Sequence, residues 1–234
     1  MKRFRAGMWL IVGAVVVLCF SAMPSHAANI LINGSFESSP GLTGWITSGS
    51  QLSYLPAVIV TDGSTGSAFG EAVPADTIVG GSPDAAGTHG VYFVDDRANQ
   101  FLTQSVVLTP GTYEIGFDTY APQNGYNNPG NASFSGTIAG VNLANFYVQP
   151  GTPKVWTHYS GLAYVSVADT YNVAFNFQTF GGASADVVVD RVYITASDEN
   201  GGTPINPVPE PGTMMLLGSG LVGLAGWGRK KFRK

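Results

Sequence analysis

The sequence has a single cysteine, Cys19, among its 234 residues. This cysteine lies in the hydrophobic stretch near the N-terminus, so the rest of the chain has no thiol for a disulfide or for covalent catalysis. Histidine is also scarce, and His89 and His158 have no evident partner in the sequence. No H-E-x-x-H or G-x-S-x-G pattern occurs, and these patterns would indicate a metalloprotease or a serine hydrolase.

Positive charge is almost missing from the middle of the chain. Of the 11 Lys and Arg residues, three lie in the first five positions and five in the last six, which leaves Arg97, Lys154 and Arg191. All 15 Asp and Glu residues lie in residues 28–211, so this part has a formal charge of 3 − 15 = −12, against −4 for the whole chain. Repulsion from phosphate excludes nucleic acid and anionic lipid as partners, whereas cations and neutral sugars remain.

Residues 1–28 are typical of a secretory signal peptide. Three basic residues are followed by an apolar run and then by the small-residue pattern Ser25-His26-Ala27. We predict a removable signal helix, cleavage next to Ala27 or Ala28, and export across the inner membrane.

Residues 208–234 consist of a Pro-rich opener, an apolar run and a basic tail, in that order. The opener contains the motif Pro209, Glu210 and Pro211, and the tail begins with Arg229, Lys230 and Lys231. The apolar run, residues 213–228, is uncharged and is predicted to be a single transmembrane helix. It is shorter than the ~20 apolar residues that a permanent span needs, which favours a transient anchor that is later removed. The basic tail places its C-terminal end on the cytoplasmic side.

This arrangement resembles the PEP-CTERM sorting signal, a segment that is also labelled the ice-binding protein C-terminal domain. The resemblance implies partners in the secretion machinery and an exosortase, a membrane protease that would cut near Pro211. The membrane would then hold the precursor only transiently, before release to the cell surface or matrix. An ordinary C-terminal tail anchor is the alternative.

Residues 29–196 contain short alternating segments between turn residues and no convincing helical periodicity. This pattern predicts an all-β sandwich. The predicted strands are Asn29–Asn33, Gln51–Val60, His89–Asp95, Phe101–Leu108, Thr112–Tyr120, Ala132–Ile138, Val155–Tyr159, Tyr164–Ala168, Tyr171–Thr179 and Ala185–Thr195. Asp62–Gly90 is predicted to be a long loop, and residues 197–207 an acidic Gly/Pro linker.

The two ends of this region, Asn29–Glu37 and Ala185–Thr195, resemble those of the galactose-binding-like jelly-roll modules. These modules include carbohydrate-binding modules of families 4, 9 and 22 and DUF642-like domains. The resemblance implies a jelly-roll sandwich and a structural calcium ion. Glu37, Asp190 and a carbonyl near Ser35 would supply the oxygen ligands that calcium prefers.

Asp190 also stands out in the strand pattern itself. Strict alternation places it on one face with Val188, Val192 and Ile194. A carboxylate on an apolar face is costly unless it is paired or bound to a metal. An ion pair with Arg97 or hydrogen bonds from backbone amides are the alternatives to calcium.

A sugar site needs an aromatic platform beside amide or acidic groups. The candidates for such a site are Trp45, Tyr120, Trp156, Glu114, Asn172, Asn176 and Gln178. In the alternative interpretation, the tryptophans belong to the core or to turns, and the polar row merely faces water.

The sequence therefore predicts an exported, non-enzymatic cell-surface or matrix protein that binds polysaccharide or builds the exopolysaccharide matrix. A secreted glycan-active hydrolase is one alternative. Glu114 and Asp118, however, lie on one strand about 13 Å apart, beyond the roughly 5–9.5 Å of a glycosidase pair. The second alternative is a purely structural, self-associating matrix protein.

Overall fold

The computed structural model describes residues 27–38, 41–51, 54–63, 72–122, 128–148 and 154–197. The described residues all belong to one compact unit. The signal helix, the sorting motif and the transmembrane helix predicted from the sequence lie outside the described residues. No helix in the described ranges has the length and hydropathy needed to cross a bilayer.

Ten strands form two five-stranded antiparallel sheets in the described part of the chain. The first five are β1 (Ile46–Ser50), β2 (Ala57–Val60), β3 (His89–Phe93), β4 (Asn99–Leu108) and β5 (Gly111–Tyr120). The last five are β6 (Ala132–Ile138), β7 (Val141–Val148), β8 (Thr157–Val165), β9 (Asp169–Thr179) and β10 (Val187–Ala196).

Sheet 1 has the order β1-β4-β9-β6-β7, and sheet 2 has the order β2-β3-β10-β5-β8. Successive strands pair directly only at β2–β3 and β6–β7; every other connection among these strands crosses to the opposite sheet. This alternation is the jelly-roll arrangement, and it confirms the predicted all-β sandwich.

Aromatic side chains from both sheets fill the space between them. The rings of Phe117 in sheet 2 and Phe175 in sheet 1 meet edge to face at 4.9 Å. A Cβ added at Gly136 would lie 2.4 Å from the Phe117 ring and 3.1 Å from the Phe175 ring. Glycine at this position therefore lets the two sheets approach closely.

Several strand predictions were wrong in detail, and of the described residues in the predicted strand Gln51–Val60 only Ala57–Val60 form a strand. Asn29–Asn33 is not a strand but a bent segment, in which Asn29 accepts hydrogen bonds from the Leu31 and Ile194 amides. β1 and β7 were missed. β7 follows a two-residue hairpin turn at Ala139 and Gly140, whose φ angles are 48° and 82°. β8 is one strand, although the sequence suggested two.

A β-bulge in β10 changes the face on which Asp190 was predicted to lie. The pairing of β10 with β5 shifts between Asp190 and Tyr193, and Arg191 has a φ of 51°. Because of the extra residue, Val192 and Ile194 pack in the core between the sheets, while Asp190 lies near charged groups outside it. The prediction that these three residues share a face was therefore wrong.

Candidate functional site

The outer surface of sheet 1, which we call the amide face, carries hydroxyl and amide groups from neighbouring strands. In β9, Val173, Phe175 and Phe177 are in the core, so the alternate positions point outward. Asp169 is the sole Asp, Glu, Lys or Arg in the five strands of this sheet. The polar residues of the amide face are Ser48, Ser50, Asn99, Thr103, Ser105, Asn172, Asn176, Gln178, Ser133, Ser135 and Thr137.

Hydrogen bonds between strands orient several of these groups. The Ser105 hydroxyl donates to the Asn172 side-chain oxygen at 2.8 Å. The Asn176 amide donates to the Asn99 side-chain oxygen at 2.8 Å and to the Gln100 carbonyl at 3.1 Å. The amide face is thus a neutral surface with fixed donors and acceptors.

The amide face brings together three of the predicted ligand-binding residues, Asn172, Asn176 and Gln178. The structure places Trp45 elsewhere, since this residue is 7% exposed and packs 5.4 Å from the Phe36 ring. The Trp45 indole donates to the Asn33 carbonyl at 3.0 Å. Trp45 is therefore a core residue, as the alternative interpretation had it.

The other predicted residues belong to the sheet 2 side of the sandwich. Tyr120 and Trp156 pack ring against ring at 5.4 Å, and the Trp156 indole donates to the Pro74 carbonyl at 2.9 Å. Glu114 lies on β5, opposite Leu162 of β8. The seven predicted residues therefore do not form one site.

Residues 72–88, which we call the covering segment, lie against the outer surface of sheet 2. Arg191 connects the two, because its guanidinium donates to the carbonyls of Ile78 at 2.6 Å and Gly80 at 3.1 Å. Val73 is fully buried and belongs to the apolar cluster that contains Tyr120. The bulge in β10 thus places a cation where it can hold the longest loop of the domain.

A charged cluster, consisting of Asp76, Asp118, His158, Asp190 and Arg191, lies beneath the covering segment. The Asp118 carboxylate is 2.5 Å from Nδ1 of His158 and 3.5 Å from the Arg191 guanidinium. Asp76 lies 3.8 Å from the same guanidinium, and the side chains of both Asp76 and Asp118 are fully buried. The cluster is a packed interior of charges, not an open cleft.

The partners of His89 and His158 were not predicted from the sequence. Asp118 and His158 stand opposite each other on β5 and β8, and His89 lies 2.8 Å from the Glu37 carboxylate. Both pairs depend on strand register or on a contact between distant segments. No spacing in the sequence could have revealed them.

Burial shifts the proton affinity of two of these acids. Loss of solvation, together with a hydrogen bond to Asp118, raises the pKa of Asp76 to about 7. Loss of solvation also raises the pKa of Asp190 to about 9, and the neighbouring charges of Asp76 and Asp118 add to the effect. Asp190 is therefore a neutral acid at pH 7 when no cation is bound.

The predicted calcium ligands fit a calcium ion in part. Asp190 accepts the Arg191 amide through one oxygen at 2.6 Å, while its other oxygen is buried without a hydrogen-bond partner. Glu37 already accepts the amides of Thr88 and His89, each at 2.7 Å. No group of three or more His, Cys, Asp and Glu residues in the described ranges is arranged to hold a metal.

The hydrogen bonds at Glu37 also govern its acidity. Partial burial raises the pKa of Glu37, but the hydrogen bonds from His89 and from the Thr88 and His89 amides outweigh this effect and lower it. Glu37 is therefore an ionised carboxylate at pH 7, of the kind that calcium binds.

A family model described as the PEP-CTERM protein-sorting motif matches residues 207–230. This match confirms the sorting signal that the sequence suggested and indicates an exported protein whose precursor is anchored in the membrane. None of the curated proteins matches the sequence.

Several solved structures have a similar fold. One is a family 61 carbohydrate-binding module in complex with β-1,4-galactotriose, with 17% identity, 73% of this chain and 100% of that chain covered, and a TM-score of 0.46. A second is a cyclase from Fischerella sp. TAU, with 18% identity, coverage of 73% and 98%, and a TM-score of 0.44. A third is the CBM22-1 xylan-binding domain from Paenibacillus barcinonensis Xyn10C, with 15% identity, coverage of 74% and 96%, and a TM-score of 0.37. At these identities the similarity is one of fold.

Proposed function

We propose that the protein is an exported, non-enzymatic module that binds a neutral polysaccharide at the cell surface or in the extracellular matrix. The amide face is the surface that binds it. An exosortase removes the sorting signal and releases the module from the inner membrane.

The observation that carries this proposal is the absence of formal charge from the amide face. Residues 28–211 have a net charge of −12 by sequence, yet the five strands of sheet 1 contain one acid and no base. A neutral polysaccharide offers hydroxyl groups that both donate and accept. Side-chain amides and hydroxyls match them without the desolvation cost of a charge.

Two aromatic residues of sheet 1 complete this surface. Phe101 stands opposite Asn176, and Tyr147 stands opposite Ser133 with 63% of its surface exposed. Aromatic rings pack against the apolar face of a sugar, while the amides fix its orientation. The surface therefore has both kinds of group that sugar binding requires.

The test is retention of the purified protein on a panel of insoluble and soluble neutral polysaccharides. Asn172→Ala combined with Asn176→Ala should weaken binding at least tenfold, because both oriented amides are lost. Ser160→Ala, on the exposed outer side of β8, is the matched control and should bind as the wild type does. Equal binding by the double variant and the wild type would show that the amide face is not the site.

The same experiment separates the alternative functions. Release of soluble sugar from the polymer would indicate a glycan-active hydrolase. Concentration-dependent self-association without any glycan binding would indicate a structural matrix protein.

We also propose that calcium stabilises the fold through Asp190, with Glu37 and a carbonyl near Ser35. The unpartnered Asp190 oxygen supports this proposal. Calcium at about a hundredfold excess over its dissociation constant should raise the melting temperature by several degrees, because it binds the folded state preferentially. Asp190→Asn should lose this response, and Asp169→Asn, an exposed control, should keep it.

A further inference from the structure

A cavity of about 230 Å³ lies at one end of the sandwich, between β7 and β8. These are edge strands, β7 of sheet 1 and β8 of sheet 2. Drug-sized ligands occupy pockets of about 300–1,000 Å³, so this cavity suits something smaller. It is of the size to enclose a single ring.

The lining of the cavity is aromatic, aliphatic and hydroxylic. Among the described residues that line it, none is Asp, Glu, Lys, Arg or His. Phe146 and Tyr159 stack at 5.7 Å with their ring planes 10° apart. The Tyr159 hydroxyl is protonated at neutral pH and can act as a donor, and burial raises its pKa further. These groups favour a neutral ring that has both an apolar face and hydroxyl groups.

The cavity is closed at its inner end and open at its outer end. Val148 and Val187 line it and are 0% and 1% exposed, so they form its floor. Val155 and Tyr147 also line it and are 57% and 63% exposed, so they form its mouth. Because a polymer cannot pass through a closed floor, this shape favours a terminal unit that enters from the mouth.

The mouth is continuous with the amide face. Tyr147 pairs across the β6–β7 ladder with Ser133, a residue of the amide face. A chain lying along the amide face towards β7 therefore reaches the cavity at its end.

We propose that the cavity binds one terminal sugar ring of a neutral polysaccharide chain, so that the protein recognises the end of the chain as well as the part that lies along the amide face. This inference rests on the proposed polysaccharide binding by the amide face. It adds that one of the two chain ends, with its free hydroxyl groups, is part of the recognised ligand.

The experiment measures binding of neutral tetrasaccharides of glucose, xylose and galactose by calorimetry. Each tetrasaccharide is used free and with one or the other end blocked by a methyl group. Val155→Trp fills the mouth of the cavity, and Val167→Trp is the matched control because Val167 is 62% exposed and does not line it. Thr157→Val, which removes a lining hydroxyl from an exposed position, is a second variant that preserves the backbone.

We expect Val155→Trp to weaken tetrasaccharide binding at least tenfold and Thr157→Val to weaken it about threefold. We expect Val167→Trp to leave it unchanged. Blocking one end of the sugar should also weaken binding at least tenfold, whereas blocking the other should not. Melting temperatures equal to that of the wild type establish that the variants are folded.

Two other outcomes would overturn the inference and are distinguishable. If the polymer binds but neither end blocking nor Val155→Trp has an effect, the cavity is not used and the amide face remains the site. If the wild type binds no polymer and no tetrasaccharide, neither the cavity nor the amide face is a sugar-binding site, and both proposals fail.

Discussion

The outer surface of sheet 1 and the outer surface of sheet 2 have opposite chemistry, although both belong to five-stranded antiparallel sheets. The amide face is neutral, and residues such as Ser105, Asn172 and Gln178 are exposed on it. Sheet 2 carries the charged cluster, and the covering segment shields that cluster from solvent. The chain has thus separated its buried charges from its exposed hydrogen-bonding groups.

The difference shows what each surface can do. Buried charges need fixed partners, so the charged cluster is committed to holding the covering segment in place. Exposed amides and hydroxyls lose little free energy when a hydrogen bond to water is replaced by a hydrogen bond to a hydroxyl group of a ligand. The amide face is therefore free to bind a ligand, whereas the charged cluster contributes to stability. The following predictions test this division, beginning with the largest expected effect.

Arg191→Met should lower the free energy of unfolding by about 3–5 kcal/mol, because it leaves buried carboxylates without their cation. It also removes the donors to the Ile78 and Gly80 carbonyls. The measurement is urea unfolding at pH 7. Arg97→Met is the control. Because Arg97 is exposed, this substitution should lower the free energy of unfolding by less than about 0.5 kcal/mol. A cost below 1 kcal/mol or so for Arg191→Met would contradict the role given to the charged cluster.

Raising the pH from 5 to 7 should destabilise the protein. Asp76 has a pKa of about 7 in the folded protein against 3.8 for the free group, so the folded state binds the proton more tightly. The resulting stability is complete below the unfolded pKa and is lost as the pH rises through 7. The raised pKa of Asp190 has the same effect on stability, which continues to fall until the pH reaches about 9.

At about 1.4 kcal/mol per pKa unit, the stability contributed by Asp76 alone falls by on the order of 2 kcal/mol between pH 5 and 7, and that of Asp190 falls by a similar amount. Urea unfolding at pH 5, 7 and 9 measures it, and Asp76→Asn should reduce the slope between pH 5 and 7. A stability that rises with pH over this range would refute the assignment.

Ser105→Ala, on the amide face, should change the free energy of unfolding by less than about 0.5 kcal/mol. Its hydroxyl is exposed and its hydrogen bond is to the exposed Asn172. The same urea series measures this variant, with Arg191→Met as the contrasting case. A loss above roughly 1.5 kcal/mol would mean that the amide network is structural and would blur the comparison.

The strands with one buried and one exposed face could be predicted well from the sequence. β9 alternates between core residues such as Phe175 and polar residues such as Asn176, as the two-residue period of a strand with one buried face requires. β10 could not be predicted to the same depth, because nothing in its sequence marks the bulge after Asp190. One inserted residue reverses the faces of everything that follows.

The candidate site was predictable only as far as it follows strand alternation. The row of amides on β9 was found, since period two fixes it. Trp45 was placed wrongly among ligand-binding candidates because an aromatic side chain suits a core and a sugar platform equally. The charged cluster and the cavity were not found, because both arise where strands distant in sequence become neighbours.

The crossing connections of the sandwich also determine when it can form. β9 and β10, the last two strands, occupy the centre of their sheets, and the Asn29 side chain donates to the Val192 carbonyl 163 positions later. Neither sheet can be completed before these strands arrive, and such long-range closure makes folding slow. The fold can therefore close only after nearly the whole of residues 29–196 has been synthesised.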